Sequence, residues 1–179
     1  LGEGHVFGAP TGDYMFLICF KNGSLARERI RDKYKMDWQA FSEALAKTPA
    51  CNNGKIMLPY FDAEIVPLVL TPGVRRYNLA EEDAFGNARA VVEAQMMSMY
   101  LHSRWVGERI STIYATGGAS QNTQILKVMA DVFGVDVYRF EVSNSAALGA
   151  AMRAIHAERT SIGKKCEWEE LANIFACPC

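Results

Sequence analysis

Long hydrophobic runs are missing from this sequence. The longest uninterrupted ones, 14–20 and 65–70, fall far short of the roughly 20 apolar residues that a membrane-spanning helix needs. Basic runs are missing as well. No stretch of Lys or Arg exceeds a pair, and 19 basic residues against 20 acidic ones leave a net charge of −1. The electrostatic footprint of a nucleic-acid or anionic-membrane partner is therefore absent, and neither partner is expected. Small neutral or anionic ligands fit this balance.

Cysteine is sparse. Cys19, Cys51, Cys166, Cys177 and Cys179 follow no regular spacing, which excludes a disulfide framework in a chain of 179 residues and suits a reducing, cytoplasmic setting. The terminal Cys177 and Cys179 have no second pair or nearby His, whereas tetrahedral zinc needs four ligands. His5, His102 and His156 stand far apart without partners at ligand spacing, so no metal site is read. A Gly-rich loop ending in Gly-Lys-Ser or Gly-Lys-Thr is lacking, which excludes a P-loop, and no Gly-x-Ser-x-Gly elbow is present. The sequence also opens on Leu1 with no signal-peptide pattern, a start that reads as a cut inside a longer chain.

What is present centres on 113–124, an apolar run that ends in Gly117 and Gly118 and gives way to an apolar-periodic segment. This is the pattern of a strand, a tight turn and a helix. Glycine lets a ligand approach the main chain, and a helix start offers unpaired N–H groups to whatever lies in the turn. Ser120 and Asn122 occupy positions where N-caps belong.

Around this centre the pattern alternates. The segment 14–20 is an apolar run expected to be a strand covered on both faces, after a turn-rich start with a short strand at 5–7. Asn22 and Gly23 signal a turn, and Ser24 is read as the cap of the helix that follows. Asp37 caps a helix over 37–47 on which Trp38, Phe41, Ala44 and Leu45 share a face. A strand at 55–61 precedes an irregular excursion over 62–79. The strongest helical pattern, 81–105, carries Phe85, Ala88, Val92, Met96 and Met99 as one buried stripe. Beyond the Gly-Gly turn come a helix over 121–133 closed by Gly134, a strand over 135–142, and a helix over 145–158 capped by 143–145. The last is rich in Ala and Gly, and Gly149 predicts close packing on a neighbour.

The segment Ala115-Thr-Gly-Gly-Ala-Ser-Gln-Asn122, continued through 125–133 and 144–156, closely resembles the carboxy-terminal domain of the FGGY family of carbohydrate kinases. Cys19-Phe-Lys-Asn-Gly-Ser-Leu25 and the helix bearing Trp38 are most similar to its xylulose kinase branch, especially the eukaryotic-like one, and the resemblance runs from about His5 to Glu158.

This resemblance implies an α/β fold of the actin-like ATPase, ribonuclease H-like type, a mixed sheet flanked by helices. Residues 1–179 would be the ATP-side, carboxy-terminal domain, cut at both ends. It implies ATP and Mg2+ as cofactors, with the Mg2+ ligands outside this chain, and D-xylulose held by a missing amino-terminal domain. Gly118 and Ala119 would lie against adenosine, Gly117 would shape the turn, Asn122 would hydrogen-bond the nucleoside, and Trp38 would pack near the adenine. No catalytic residue is assigned. The family's general base and Gly-Thr-Ser phosphate turn lie upstream, and 11–13 has similar letters in the wrong order. Phosphoryl transfer depends on positioning and charge neutralisation, so the chain alone is expected to be inactive. The alternatives are the same domain from a ribulose, fuculose or glycerol kinase, and a non-catalytic interaction domain of the same fold; the pattern leaves oligomeric state open.

Overall fold

The computed structural model describes residues 3–9, 12–140 and 144–175. Its organising element is α3 (Ala84–Ser103), a helix buried through most of its first half. Asp83 begins it by accepting from the backbone N–H of Gly86 at 2.8 Å. The start therefore falls three residues after the first acidic residue of Glu81-Glu82-Asp83, because Asp83 is the one that caps.

Three helices and a strand pack on α3. From α1 (Ser24–Lys33) come Ala26 and Ile30, from α2 (Trp38–Lys47) Phe41, Ala44 and Leu45, from β3 (Ile56–Tyr60) Met57, and from α4 (Thr123–Phe133) Ile125 and Val128. They meet Ala88, Val91, Val92 and Met96 of α3 in one buried cluster. Met99 is partly buried against it, whereas Phe85, expected in the same stripe, is exposed at the first turn. The apolar spacing on α2 and α4 translates directly into these contacts, since residues three and four apart share a face. Asp37 caps α2 as expected, accepting from the Ala40 N–H at 2.7 Å. Gly134 ends α4 in the left-handed region at φ 66°, where a side chain would be strained.

The strands lie in separate two-stranded sheets among the described residues. β1 (His5–Gly8) and β2 (Tyr14–Leu17) form an antiparallel hairpin. β3 pairs antiparallel with β4 (Gly73–Tyr77), and β5 (Thr112–Ala115) pairs parallel with β6 (Asp136–Arg139). Two expectations are corrected here. The apolar run from Tyr14 stops as a strand at Leu17 and is exposed rather than covered on both faces. The hairpin is tied to the rest through Phe16, edge-on to Trp105 at 5.6 Å, and Glu3, paired with His102 at 3.0 Å. The excursion 62–79 contains β4, whose Val74 points inward while its neighbours are exposed. Pro72 and the Arg75-Arg76 pair hide that alternation in the sequence.

β6 ends at Arg139; the remainder of the strand expected over 135–142, and the Ser143 expected to help cap the next helix, run into 141–143, outside the described residues. Asn144 caps α5 (Ser145–Ser161), accepting from the Ala147 N–H at 3.1 Å. The close packing predicted from its small residues is not found among the described residues. No residue of α5 is buried, and a Cβ on Gly149 would meet nothing within 4 Å. The helix packs on α6 (Trp168–Phe175), through His156 stacked on Trp168 at 4.2 Å. Cys177 and Cys179 lie outside the described residues.

Phe41 is fully buried and sits at the meeting point of α2 and α3. Phe41→Ala should destabilise the protein by about 3–5 kcal/mol, while Leu70→Ala, at a side chain 78% exposed, should stay within about 0.5 kcal/mol; urea denaturation at neutral pH compares the two.

Candidate functional site

A cleft of about 730 Å³ opens between the first turns of α1 and α2 and the start of α4. Its walls include Ser24, Arg27 and Glu28 of α1, Trp38, Gln39 and Ser42 of α2, and Gly118, Ala119, Gln121, Asn122, Thr123 and Ile125 beyond β5.

The turn after β5 is built by its glycines. Gly117 has φ 82°, in the region that favours glycine, and the chain then makes a short 3₁₀ turn over Gly118–Gln121. Ser120 occupies a position where the sequence predicts a cap for the following helix. Its hydroxyl instead donates to the carbonyl of Gly117 at 2.7 Å, and the buried side chain braces the turn from inside. Above Gly118 the space is open, since a Cβ built there would meet nothing within 4 Å. Gly118 and Ala119 thus present main chain to the cleft, while Gly117 shapes the corner without lining it.

Asn122 is the N-cap of α4. Its Oδ1 accepts from the backbone N–H groups of Gln124 at 3.0 Å and Ile125 at 3.3 Å, and from the Ser42 hydroxyl at 3.3 Å. These donors fix the orientation of the amide. They occupy its oxygen and leave Nδ2 without a partner among the described residues, as a donor at the cleft wall. Ser42, which no sequence pattern singled out, ties α2 to this cap across the cleft floor.

Trp38 stands on the opposite wall, 42% exposed. The Arg31 guanidinium covers its ring at 4.5 Å and Phe41 meets it edge-on at 5.5 Å. The indole is therefore held in place by a cation and an aromatic edge, with surface left for a flat ligand.

The α1 wall is positioned from behind. Glu64, buried, accepts from the backbone N–H groups of Lys21, Asn22 and Ile65 and from Nδ2 of Asn22, at 2.6–2.9 Å. Asn22 in turn accepts from the Asp62 N–H at 2.9 Å. Burial pushes the Glu64 carboxyl upward, but these N–H donors outweigh it and hold it below the ordinary carboxylate range. Gln95 of α3 donates to the carbonyls of Asn22 and Gly23, both at 2.8 Å. The turn before α1 is consequently clamped on two sides. Gly23 takes the N-cap position with no side-chain cap, and Ser24, expected there, is the first helical residue.

Residues 9–158 match the model of the FGGY family of carbohydrate kinases, C-terminal domain. The chain belongs to the FGGY family. Among its relatives is the xylulose kinase of Rattus norvegicus, 46% identical over 166 residues, a match covering 86% of this chain and 30% of the relative. Xylulose kinase 2 of Arabidopsis thaliana is 36% identical over 174 residues, covering 86% and 31%. The crystal structure of ligand-bound xylulose kinase from Lactobacillus acidophilus superposes with a TM-score of 0.84 at 21% identity, covering 99% of this chain and 36% of that one. The α/β fold is thus the actin-like ATPase fold of FGGY kinases. The chain spans about 30% of the length of the curated relatives it matches first.

The cleft fits a nucleoside on two observations, open space over Gly118 and the unpartnered Nδ2 of Asn122. For a divalent cation the described residues supply no matching donor set, since no three His, Cys, Asp or Glu side chains gather. Among the described residues no helix is long and apolar enough to cross a membrane.

Because Glu64 titrates below its ordinary value of 4.5, its contribution to stability is complete only above that value and is lost as the pH falls from it through the lowered folded value. Glu64→Gln should lower stability at pH 7, and the gap from the unsubstituted protein should narrow on acidification; urea midpoints at several pH values between neutral and acid read this out.

Proposed function

We propose that this chain is the nucleotide-binding, carboxy-terminal part of a longer D-xylulose kinase, which transfers the γ-phosphoryl group of ATP to the terminal hydroxyl of the ketose. The observation that carries this reading is the cleft itself, with bare main chain at Gly118 and Ala119, a free amide donor at Asn122 and an anchored indole at Trp38 around one hollow. The identity of 46% to a xylulose kinase supports the sugar, whereas the fold alone supports only the family.

In this reading adenosine lies against Gly118 and Ala119, Asn122 donates from Nδ2 to an acceptor of the nucleoside, and the adenine packs near Trp38. MgATP supplies the phosphoryl group when bound. The residues of this chain bind and orient it and exclude water from the purine, and none takes the role of general base. The sugar site, the base and the cation's protein contacts belong to the rest of the longer protein. Its exposed free thiols, Cys19 and Cys51, suit a reducing cytoplasm.

The opening of β1 and β2 to solvent also supports a larger parent. Val6, Phe7, Tyr14, Met15, Phe16 and Leu17 are each 41% exposed or more. So large an apolar surface on one hairpin marks a place that further chain covers.

Calorimetry on the full-length protein should show ADP binding, and no heat at millimolar ADP would remove the nucleotide reading. Asn122→Asp separates the two duties of that side chain, because Asp caps a helix as well as Asn but has no Nδ2 donor. It should keep the melting temperature while weakening adenosine, an uncharged probe, by about three- to tenfold. Asn122→Ala should weaken adenosine similarly and also cost about 1 kcal/mol of stability through the lost cap. An unchanged adenosine affinity in Asn122→Asp would make the side chain a cap and nothing more.

A further inference from the structure

Arg27 is a buried cation on the cleft wall without an anion of its own. The residue is 7% exposed, yet it lines the cleft. Its one side-chain polar partner among the described residues is neutral, Gln95, whose Oε1 accepts from Nη1 at 2.6 Å. Every other buried or half-buried cation on α1 and α3 has a carboxylate: Arg31 pairs with Asp32, and Arg89 with Glu93 and Asp131. Among the described residues no carboxylate comes within ion-pair distance of Arg27. Glu28, half-buried in the same cleft, acts on it only through space.

Burying an unpaired charge is costly, and here burial lowers the Arg27 pKa, with Glu28 opposing the shift. The guanidinium fork has further N–H donors beyond the one spent on Gln95. Beside it, α1 begins without a side-chain cap, so the N–H groups of its first turn have no partner in the helix and carry the positive end of its dipole. Ser24 of that turn lines the cleft beside Arg27. Two sources of positive potential, a side chain and a helix start, therefore face one open volume.

We propose that Arg27 and the uncapped first turn of α1 bind a phosphate group of the nucleotide, forming a polyphosphate-anion subsite on the wall opposite the Gly-Gly turn. This rests on the nucleotide reading of the cleft. The clamp of Glu64 and Gln95 on the preceding turn holds the α1 start in place, and Gln95 aligns the guanidinium by accepting from one end of its fork. A bidentate guanidinium–phosphate contact then uses the donors that the protein leaves free.

The full-length protein and its Arg27→Gln, Arg27→Lys and Glu28→Gln variants are titrated with ADP, adenosine and inorganic pyrophosphate, with thermal melts alongside. Arg27→Gln should weaken ADP and pyrophosphate by about tenfold or more and leave adenosine within about twofold. Arg27→Lys should recover part of the loss, and Glu28→Gln should tighten pyrophosphate a few-fold by removing an anion from the cleft. Equal loss of adenosine and ADP would make Arg27 a structural residue and overturn the proposal while leaving the nucleotide reading intact. So would pyrophosphate binding that Glu28→Gln does not change, an outcome open even if Arg27→Gln fails to fold. Pyrophosphate binding that depends on Arg27, in a protein that does not bind adenosine, would sustain the anion subsite and overturn the nucleoside assignment. Binding of neither would overturn both.

Discussion

The first half of α3 is buried all round, and the structure depends on how its polar side chains are satisfied there. Asn87, Arg89, Glu93 and Gln95 lie between the buried apolar residues Ala88, Val91, Val92 and Met96. A buried polar group without a partner costs several times what an ordinary hydrogen bond contributes net, so each of these side chains must reach something. Three of them reach different elements, while Glu93 pairs within α3. Asn87 accepts from Arg76 of β4 at 2.7 Å and donates to the carbonyls of Ala80 and Asp83. Arg89 pairs with Glu93 and donates to the carbonyl of Leu45 at the end of α2, with Asp131 of α4 at 3.5 Å. Gln95 grips the turn before α1 and the side chain of Arg27. Apolar contact alone tolerates sliding, whereas these bonds fix where α1, α2 and α4 sit along the helix. The cleft is the gap that their ends leave, so its shape is set from α3, which does not line it.

What the sequence disclosed follows from the range of the interactions involved. Caps and turns are local, and Asp37, Gly117, Asn122 and Gly134 do in the structure what their types and positions predict. The faces of α2 and α4 were legible because their burial comes from α3, inside this chain. The hairpin residues Tyr14–Leu17 and the small face of α5 misled for the opposite reason. Their composition is that of covered surface, and the described residues of this chain bury none of it. β4 escaped because alternation over five residues with two adjacent arginines gives no contrast at that spacing.

The site was half legible. Its glycines, Asn122 and Trp38 carry backbone or ring signals that stand out in a string of letters. Ser24, Arg27, Glu28, Gln39 and Ser42 do not, because polar residues spaced along α1 and α2 look like any solvated helix face. Only the approach of those two helices to the start of α4 turns that face into a wall. Burial is the signal that was missing: on periodicity alone Arg27 belongs with Arg29 and Arg31, and its 7% exposure sets it apart.

The two sides of the cleft therefore differ in how they answer a ligand. On the Gly-Gly side the polar groups are already satisfied within the fold apart from Nδ2 of Asn122, whose oxygen would cap α4 with or without an occupant. On the α1 side a desolvated guanidinium has one neutral partner and the helix start has no cap, so the empty state carries a cost that an anion would offset. A ligand with both a flat nucleoside and an anionic tail gains shape and hydrogen bonding from the first wall and relieves charge on the second. Binding of that kind is linked to stability, since whatever binds the folded state alone raises it by mass action. On the proposed reading such linkage would fall first on α1 and the turn that Glu64 and Gln95 hold, since Gln95 of α3 contacts both that turn and Arg27.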